Sequence, residues 1–410
     1  MRLFHFLLIV IYSQLCSAKT ITFCSTCSTN SLEQAVRTAN PFDTILVKQG
    51  NYPSYNTIVN KPLTIIGENY PVFDGEKKDE VITVIADSVT IIGLEIRNTN
   101  IGSLKDYAGI RIIKSHYTQI INCHLSNVYF GIYLSEDSAC LIKDNISIGA
   151  DYAGTDRGNG IQLWNCRAIR IENNHVENHR DGIYFEFSKH CTIKNNLSTN
   201  NIRYGLHFMF SDDNTYIRNT FSHNGTGVAV MYTDYVKMYY NKFENNWGDA
   251  AYGLLLKDIN NSIIVGNTFA NNTIALTMEG SSRMRIENND FIKNGYGLKV
   301  MANCDADTFR RNNFSGNTFD AATNGKLVNN IFAYNYWDKY EGYDLNKDEI
   351  GDIPYKPVSL YSMLIEQMPY AVILLRSFFV DLLNRAEKNI PGVMPATFED
   401  KSPLMRIIKR

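Results

Sequence analysis

The feature that most constrains the fold is a glycine that returns about every 22 residues, each time just before a short apolar stretch. These glycines are Gly109, Gly131, Gly160, Gly182, Gly205, Gly227, Gly253 and Gly297. Successive differences are 22, 29, 22, 23, 22, 26 and 44 residues, and the last is two steps of 22 with Ala275 at the missing position. A fixed period of this length is typical of a chain that coils repeatedly and stacks each coil on the one before.

Two further patterns specify what each coil contains. Apolar residues alternate after the glycine, as Leu206 and Phe208 do, which predicts a strand with one buried face. In a second register an asparagine stands two positions before a phenylalanine, at Asn219, Asn241, Asn267, Asn289 and Asn312. Asparagine suits a bent corner and can bond to its copy one coil away. The sequence therefore predicts an all-β, right-handed parallel β-helix, since a leucine-rich repeat would need a leucine signature and helices that are not seen.

The start of the chain resembles an export signal. Arg2 is followed by an apolar run over 7–12, and Cys16, Ser17 and Ala18 form a small-residue cleavage site. We therefore predict a signal peptide over 1–18 and an exported mature protein.

The rest of the chain divides into four predicted segments. Residues 19–105 are interpreted as an N-terminal cap with irregular first coils, including a short helix over 31–39 that covers the first coil. Residues 106–336 are the regular β-helix, 337–357 an acidic turn, and 358–410 a C-terminal helical docking segment. The formal net charge of −2 argues against nucleic acid as a partner.

The acidic turn contains a partial match to a calcium-binding loop. Asp344, Asn346, Asp348 and Asp352 supply oxygen ligands at suitable spacing, but Glu349 stands where the loop needs glycine. A calcium ion and a solvated acidic turn are both consistent with this pattern.

The segment that follows has a helical pattern over 358–388, interrupted at Pro369. It is strongly apolar over 371–375 and 378–383, but charged residues interrupt every stretch of about 20 residues, so it does not fit a membrane span. It can serve as a cap on the last coil, as a docking element for a partner, or as both.

The cysteines give two alternatives near the mature N-terminus. Cys24 and Cys27 form a CxxC pair, which in an oxidising compartment predicts a local disulfide or, alternatively, a thiol pair that handles metal or electrons. The remaining mature cysteines are scattered along the coils and are interpreted as small core residues.

The outward-facing positions carry a candidate metal site. If residues one and three after each glycine point inward, those two and four after it point outward. This places Met209 and Met231 side by side on adjacent coils with His207 on the same strand, and Met301 further along the same column. Exposed methionines beside an exposed histidine suit Cu(I), whereas ordinary packing of the methionines is the alternative.

Several strings from residue 203 onward are distinctive: YGLHFMFSDDN, GVAVMY, NWGDAAYGLLLKD, EGSSR, NTFDAATN, NYWDKYEGYDLNKD, IPYKPVSL and RSFFVDLLNRAEK. Together they closely resemble the NosD family, the exported maturation proteins of nitrous oxide reductase. The resemblance covers essentially the whole mature chain, and its most specific motifs lie between 203 and 388.

The resemblance implies a periplasmic β-helix that works with an ABC transporter and helps to deliver copper or sulfur for the copper centres of nitrous oxide reductase. The implied partners are the transporter's membrane subunit with its ATPase, the reductase and a copper chaperone. The C-terminal helices would dock on the membrane subunit, and His207, Met209 and Met231 become the copper candidates. The resemblance specifies no ligand set, and it leaves the role of the CxxC pair open.

The alternative function is a secreted polysaccharide lyase, hydrolase or epimerase. Such an enzyme needs carboxylates that converge with a basic residue on one outer face. The residues available for this are Asp156, Arg157, Arg180, Asp181, Glu186, Asp212 and Asp213, of which Asp181 and Asp212 are also interpreted as ordinary turn residues.

Overall fold

The computed structural model describes residues 18–102, 104–150, 157–248, 251–327, 329–375, 377–389 and 398–409. Within these residues the chain forms three sheets of 14, 12 and 13 strands, called sheets 1, 2 and 3 below. The strands pair in parallel with those one coil earlier and one coil later. The chain is therefore a β-solenoid, which confirms the predicted all-β parallel β-helix with a C-terminal helical segment. The predicted signal peptide lies outside the described residues except for Ala18.

Each sheet takes one strand from almost every coil. Sheet 1 contains Thr20–Phe23, Thr44–Val47, Thr64–Gly67, Thr90–Ile92, Gln119–Ile121, Leu141–Lys143, Arg170–Glu172, Thr192–Lys194, Thr215–Ile217, Lys237–Tyr239, Ile263–Val265, Arg285–Glu287, Thr308–Arg310 and Ile331–Ala333. Sheet 2 contains Thr57–Val59, Ile82–Val84, Ala108–Ile113, Phe130–Ser135, Ile161–Trp164, Asp181–Glu186, Tyr204–Met209, Thr226–Asp234, Tyr252–Asn260, Ile274–Glu279, Tyr296–Val300 and Phe319–Ala322. Sheet 3 contains Asn51–Pro53, Val72–Asp74, Glu95–Arg97, His124–Val128, Ile146–Gly149, His175–Glu177, Leu197–Thr199, Thr220–Ser222, Lys242–Glu244, Thr268–Ala270, Asp290–Ile292, Asn313–Ser315 and Tyr336–Trp337.

The recurring glycine lies where a strand of sheet 2 approaches the backbone of the next coil. A Cβ atom on Gly205 would lie 2.6 Å from the carbonyl oxygen of Gly227, and one on Gly182 would lie 2.6 Å from that of Gly205. Side chains one and three positions after the glycine point inward, and Leu206 and Phe208 are accordingly buried. The period in the sequence thus reflects a steric requirement that each coil repeats.

The recurring asparagines form two hydrogen-bonded ladders along the corners of the solenoid. In the first ladder the backbone nitrogen and Nδ2 of Asn219 both donate to Oδ1 of Asn241 at 2.9 Å, and Nδ2 also donates to the carbonyl of Ile193. Each side chain thereby satisfies buried backbone groups that the corner leaves outside the sheets. The first ladder runs through Asn145, Asn174, Asn196, Asn219, Asn241, Asn267, Asn289, Asn312 and Asn335. The second runs through Asn201, Asn224, Asn246, Asn272, Asn294 and Asn317.

Stacked aromatic rings fill the interior against sheet 3. The rings of Phe221, Phe243, Phe269, Phe291, Phe314 and Trp337 follow one another with centroids 4.0 to 5.7 Å apart. Stacked pairs at this spacing add to the free energy gained by burying the rings. This column is part of one buried hydrophobic cluster that extends from Phe23 to Phe398.

The N-terminal end of the solenoid is covered by a short helix, α1, over Leu32–Thr38. Ser31 caps it by accepting a hydrogen bond from the backbone nitrogen of Gln34, and the helix buries Leu32, Ala35 and Val36. Coil stacking already begins with Thr20 opposite Thr44. The predicted boundary between irregular and regular coils at 105/106 is therefore not a boundary of the stack.

The C-terminal part contains helix α2 over Leu360–Gln367, a 3₁₀ helix over Pro369–Leu374, and helix α3 over Phe378–Asn389. The prediction of a helical segment over 358–410 is wrong for its last part, because residues 398–409 return to the solenoid and cap it. Phe398 stacks on Phe332, and Oδ2 of Asp400 accepts hydrogen bonds from the backbone and side-chain nitrogens of Asn335. Asp400 thus ends the first asparagine ladder. None of the helices in the described residues has the length and apolar character needed to cross a membrane.

The helices pack on the last strands of sheet 2. Tyr361, Ile365 and Val380 form a small apolar cluster with Phe319. An ion pair joins Nζ of Lys299 to Oε1 of Glu366 at 2.8 Å, with both side chains mostly shielded from solvent. Helix α2 is therefore fixed to the same outer face that carries the candidate metal ligands.

Candidate functional site

The candidate copper ligands lie on the outer face of sheet 2. His207 and Met209 belong to the strand Tyr204–Met209, and Met209 pairs directly with Met231 on the next strand. Adjacent strands are about 4.8 Å apart, so the two thioether side chains are neighbours. Met301 lies beyond Lys257 and Glu279 in the same column, three strands or about 14 Å from Met231. The structure therefore brings three of the four predicted ligands together and leaves Met301 apart.

The imidazole of His207 is covered, although its strand position faces outward. Only 5% of its surface is exposed. Its ring centroid lies 5.1 Å from that of Tyr184 and 4.6 Å from that of Tyr204. The expectation of an exposed histidine is thus wrong, because large aromatic side chains from its own strand and the preceding strand shield it.

A carboxylate and an arginine hold one side of this imidazole. Oδ2 of Asp181 lies 3.4 Å from Nδ1 of His207, and Arg203 binds the same carboxylate through Nε at 2.8 Å and through Nη2. Asp181 is completely buried. Burial by itself would raise the pKa of Asp181, but the hydrogen bonds from Arg203 and His207 outweigh it and hold the pKa below its usual range. The carboxylate is therefore ionised and accepts hydrogen bonds only.

The other side of the imidazole ends in a buried atom without a hydrogen-bond partner, Nε2 of His207. Since Nδ1 faces an ionised carboxylate, Nδ1 is assigned the proton and Nε2 carries the lone pair. A buried acceptor that nothing satisfies is costly, and native structures usually give it a partner. An imidazole with its lone pair free and its other nitrogen held by a carboxylate is the arrangement of a metal-binding histidine.

Tyr184 connects the imidazole to the methionine pair. Its hydroxyl group donates to Sδ of Met209 at 3.8 Å while its ring packs against His207. Burial, followed by the nearby charge of Glu186, raises the pKa of Tyr184 to about 12, so the hydroxyl keeps its proton. The cluster thus contains one candidate nitrogen ligand and two candidate sulfur ligands, with aromatic and charged groups packed around the imidazole. Met209 and Met231 themselves are half-buried.

The sequence patterns did not identify Asp181, Arg203 and Tyr184 as parts of this cluster. The sequence favours a turn or an enzyme role for Asp181, but the residue begins the strand Asp181–Glu186. The available signal was its spacing, because Asp181 and Arg203 are 22 residues apart, which is one coil.

An exposed aromatic strip borders the methionine pair. Phe187, Phe210 and Tyr232 each follow the outward residue of their strand, and their rings stack with centroids 5.4 and 5.2 Å apart. Their faces lie against one another, so mainly ring edges are presented to solvent.

Two of the other residues considered for an enzyme site, Asp212 and Asp213, are paired away from Asp181. Asp212 and Asp213 lie at the corner after the strand, where Asp212 pairs with Lys189 at 2.7 Å and Asp213 with His190 at 3.9 Å. Asp156 lies outside the described residues.

The candidate calcium loop uses its oxygens internally. Asp344 accepts hydrogen bonds from the backbone nitrogens of Lys347 and Glu349, and Asp352 accepts one from that of Leu345. Nδ2 of Asn346, a donor, faces the carboxylate of Asp348 at 3.0 Å. This geometry gives the calcium interpretation no support. In the part of the chain that the structure describes, no group of three or more His, Cys, Asp and Glu side chains is placed to hold a metal ion.

The cysteines fall into two groups. Cys24 and Cys27 are joined by a disulfide bond. Cys123, Cys140, Cys166, Cys191 and Cys304 are buried free thiols. Burial raises the pKa of Cys123 and of Cys304 to about 11, so these thiols stay protonated inside the solenoid.

Comparison with known proteins gives three findings. A family described as "Periplasmic copper-binding protein (NosD)" matches residues 146–342. Proteins named "Probable ABC transporter binding protein NosD" from Pseudomonas aeruginosa and Stutzerimonas stutzeri are each 27% identical, over 86% and 87% of this chain and 86% of their own lengths. Among solved structures, the A-module of a mannuronan C-5 epimerase from Azotobacter vinelandii superposes with a TM-score of 0.59 at 13% identity, covering 70% of this chain and 90% of that one. At that identity the similarity concerns the fold alone.

Proposed function

We propose that the chain is a member of the NosD family, a periplasmic copper-handling protein that acts with an ABC transporter. In this proposal it receives Cu(I) from a copper chaperone and holds it on the outer face of sheet 2. It then delivers copper, sulfur or both for assembly of the copper centres of nitrous oxide reductase. It performs no catalysis of its own.

The observation that carries the copper assignment is the buried, unpartnered Nε2 of His207 beside the methionine pair. Cu(I) is a soft ion, and thioether sulfur and imidazole nitrogen are ligands that suit it. His207, Met209 and Met231 supply these two ligand types on two adjacent strands. The half-buried setting of the two methionines fits a cargo that is passed from one protein to another.

The exposed apolar surface of the C-terminal helices supports docking on the membrane subunit of the transporter. The ATPase of the transporter would act through that membrane subunit. Tyr370, Ile373 and Phe378 are 92%, 85% and 80% exposed, which is unusual for side chains of this size in one short segment. The segment is clamped at its base by the ion pair between Lys299 and Glu366. Lys299 stands in the same outer column as His207, four strands or about 19 Å away, so a docked transporter would lie near the metal cluster.

The copper assignment is tested by anaerobic titration of the mature protein with Cu(I) against a competing chelator. We expect stoichiometric binding that is lost in His207→Ala and in the double variant Met209→Ala, Met231→Ala. The matched control is Met301→Ala, which removes a methionine of the same column and should leave binding unchanged. Binding that persists in both test variants would move the site elsewhere, and a Cys24→Ser, Cys27→Ser variant would then be examined.

The docking assignment is tested by co-purification with the transporter's membrane subunit. Replacing residues 359–397 by a short Gly-Ser linker removes the helices and keeps the capping segment, because Tyr355 and Asp400 already pair through their backbones. We expect this variant and the double variant Ile373→Ser, Phe378→Ser to lose the complex. Leu345→Ser is the control, since Leu345 is 77% exposed but lies outside the helices. An intact complex in both helix variants would leave the helices a capping role only.

The alternative, a secreted polysaccharide lyase or epimerase, has less support from the site. Asp181, one of the carboxylates considered for its base, is buried and engaged by Arg203 and His207. Incubation with polyuronates, followed for new double bonds and for epimerised sugars, distinguishes the two functions.

A further inference from the structure

We propose that Asp181 and Arg203 are positioning residues for His207, which hold the imidazole in the tautomer that leaves Nε2 free to bind a metal ion. This inference rests on the proposed copper site. It concerns side chains to which neither the sequence patterns nor the comparisons give a role at a metal site.

The first step is the direction of the hydrogen bond. An ionised carboxylate can only accept, so the nitrogen that faces Oδ2 of Asp181 has to carry the imidazole proton. That nitrogen is Nδ1, at 3.4 Å. In the neutral ring the lone pair is then on Nε2, which lies buried and without a hydrogen-bond partner.

The second step is the role of Arg203. Its guanidinium group approaches Asp181 with two nitrogens, Nε on Oδ1 and Nη2 on Oδ2. Such a two-point contact fixes the plane of the carboxylate and compensates its buried charge. The guanidinium is itself held over the ring of Tyr204, with its carbon 4.9 Å from the ring centroid. Arg203 therefore aims Oδ2 at the imidazole.

The third step is that the ring has little freedom to rotate. Tyr184 contacts it edge-on at 5.1 Å and Tyr204 lies at 4.6 Å. These two tyrosines flank the imidazole, while the carboxylate sets which nitrogen is protonated. A carboxylate behind a metal-binding histidine typically changes metal affinity about 10- to 100-fold when it is removed.

A substitution of Asp181 by asparagine makes a specific prediction. In Asp181→Asn the amide oxygen should accept the hydrogen bond from the Arg203 guanidinium, because an amide NH₂ cannot accept one. The amide NH₂ then faces the imidazole as a donor. Nδ1 of His207 must now accept, so the proton moves to Nε2 and blocks the metal-binding atom. The variant keeps the shape of the side chain. It reverses the bond to the imidazole, and it also loses the negative charge and the contact of Oδ2 with Nη2 of Arg203, a loss that Arg203→Lys probes separately.

The experiment is a long-range ¹H–¹⁵N correlation spectrum of the metal-free full-length mature protein labelled with ¹⁵N-histidine, with His207 assigned by comparison with His207→Gln. We expect His207 in the wild type to be protonated at Nδ1, and in Asp181→Asn at Nε2. In parallel, Cu(I) affinity measured against a chelator should fall about 10- to 100-fold in Asp181→Asn. Arg203→Lys, which keeps the charge and loses the two-point contact, should keep the tautomer and lose less affinity.

The matched control is Asp212→Asn, which alters an outward-facing carboxylate paired with Lys189 and should change neither the spectrum of His207 nor the affinity. A wild-type His207 protonated at Nε2 would overturn the inference, and this measurement needs no variant to fold. An Asp181→Asn variant that shows the shifted tautomer and undiminished Cu(I) affinity would also overturn it. Failure of the copper site itself is distinguished by the His207→Ala titration, which would then show unchanged binding.

Discussion

The buried carboxyl group of Asp307 makes the stability of the coil stack depend on pH. Its Oδ1 accepts a 2.9 Å hydrogen bond from the backbone nitrogen of Met284, whereas its Oδ2 is buried without a partner. Burial raises the pKa of Asp307 to about 7. An unfolded aspartate titrates at about 3.9. The contribution of Asp307 to the free energy of unfolding is therefore most favourable below about pH 4, where the group is protonated in both states. This contribution is lost as the pH rises from about 4 towards 7.

The size of the effect follows from the pKa difference of about three units, which corresponds to about 4 kcal/mol at full ionisation. About 1.5 kcal/mol is already lost at pH 5, because the unfolded group is ionised there, so the loss between pH 5 and pH 8 is about 3 kcal/mol. In Asp307→Asn this loss disappears, and the new NH₂ group is a donor where Oδ2 had no partner. Asn214, at the equivalent corner four coils earlier, donates its Nδ2 to the carbonyls of Ser188 and Ser211. We expect the variant to be more stable than the wild type, by a margin that grows by about 3 kcal/mol from pH 5 to pH 8.

The assay is urea denaturation followed by circular dichroism at pH 5 and pH 8 for the wild type, Asp307→Asn and Asp137→Asn. Burial also raises the pKa of Asp137 to about 7, but both of its oxygens accept backbone hydrogen bonds, from Ser115 at 2.7 Å and from Ser135 at 2.8 Å. An amide at 137 turns its NH₂ against one of these N–H groups. The effect of Asp137→Asn on the free energy of unfolding should therefore depend on pH in the same way as that of Asp307→Asn. At each pH, however, Asp137→Asn should be less stabilising than Asp307→Asn by about 1–3 kcal/mol. A margin for Asp307→Asn that is equal at the two pH values would refute the reasoning.

Two further predictions concern buried polar groups of the interior and the corner. Tyr216→Phe should raise the free energy of unfolding by about 1–2 kcal/mol, because the Tyr216 hydroxyl is buried without a hydrogen-bond partner. A thermal or urea melt measures the change. A lower unfolding midpoint in the variant than in the wild type would contradict this explanation. Asn241→Ala should lower the free energy of unfolding by about 2–4 kcal/mol. The substitution removes the hydrogen bonds that Asn241 donates to Tyr216 and Asn267, and it also removes the oxygen that accepts both bonds from Asn219. The control Asn346→Ala, on the exposed acidic turn, should have little effect. Equal stability of these two variants would contradict the role assigned to the ladder.

The sequence was sufficient for the coils because their physical causes recur once per coil. The glycines at 205 and 227 mark a close backbone approach, and Asn219 and Asn241 mark a buried corner, so both leave a period that can be measured. The same period placed Met209 beside Met231, a pairing that the structure contains.

What surrounds the cluster could not be predicted in the same way. The cover of His207 comes from Tyr184 and Tyr204, and the size and orientation of these rings follow no period. An aspartate next to a glycine, such as Asp181, is equally typical of a turn, so its burial under Arg203 was visible only in three dimensions. The capping role of Asp400 depends on a contact across 65 residues that no local pattern indicates.

The position of the helices between the last coil and its cap determines the order in which the chain can be completed. Ladder bonds between asparagines span 22 to 29 residues, so each coil can join the stack soon after its residues become available for folding. The closing bonds span 65 residues from Asn335 to Asp400 and 95 from Ile408 to Asn313. The entropy cost of closing a loop grows only slowly with the length of the loop. The last coil therefore closes late mainly because residues 398–409 are the last to be made, and less because the longer loop costs more free energy to close. A chain arrested or truncated before residue 398 keeps its helices but ends in an open β-edge, which is a template for aggregation. In the natural chain, closure of the last coil thus comes after the complete helical segment has been synthesised.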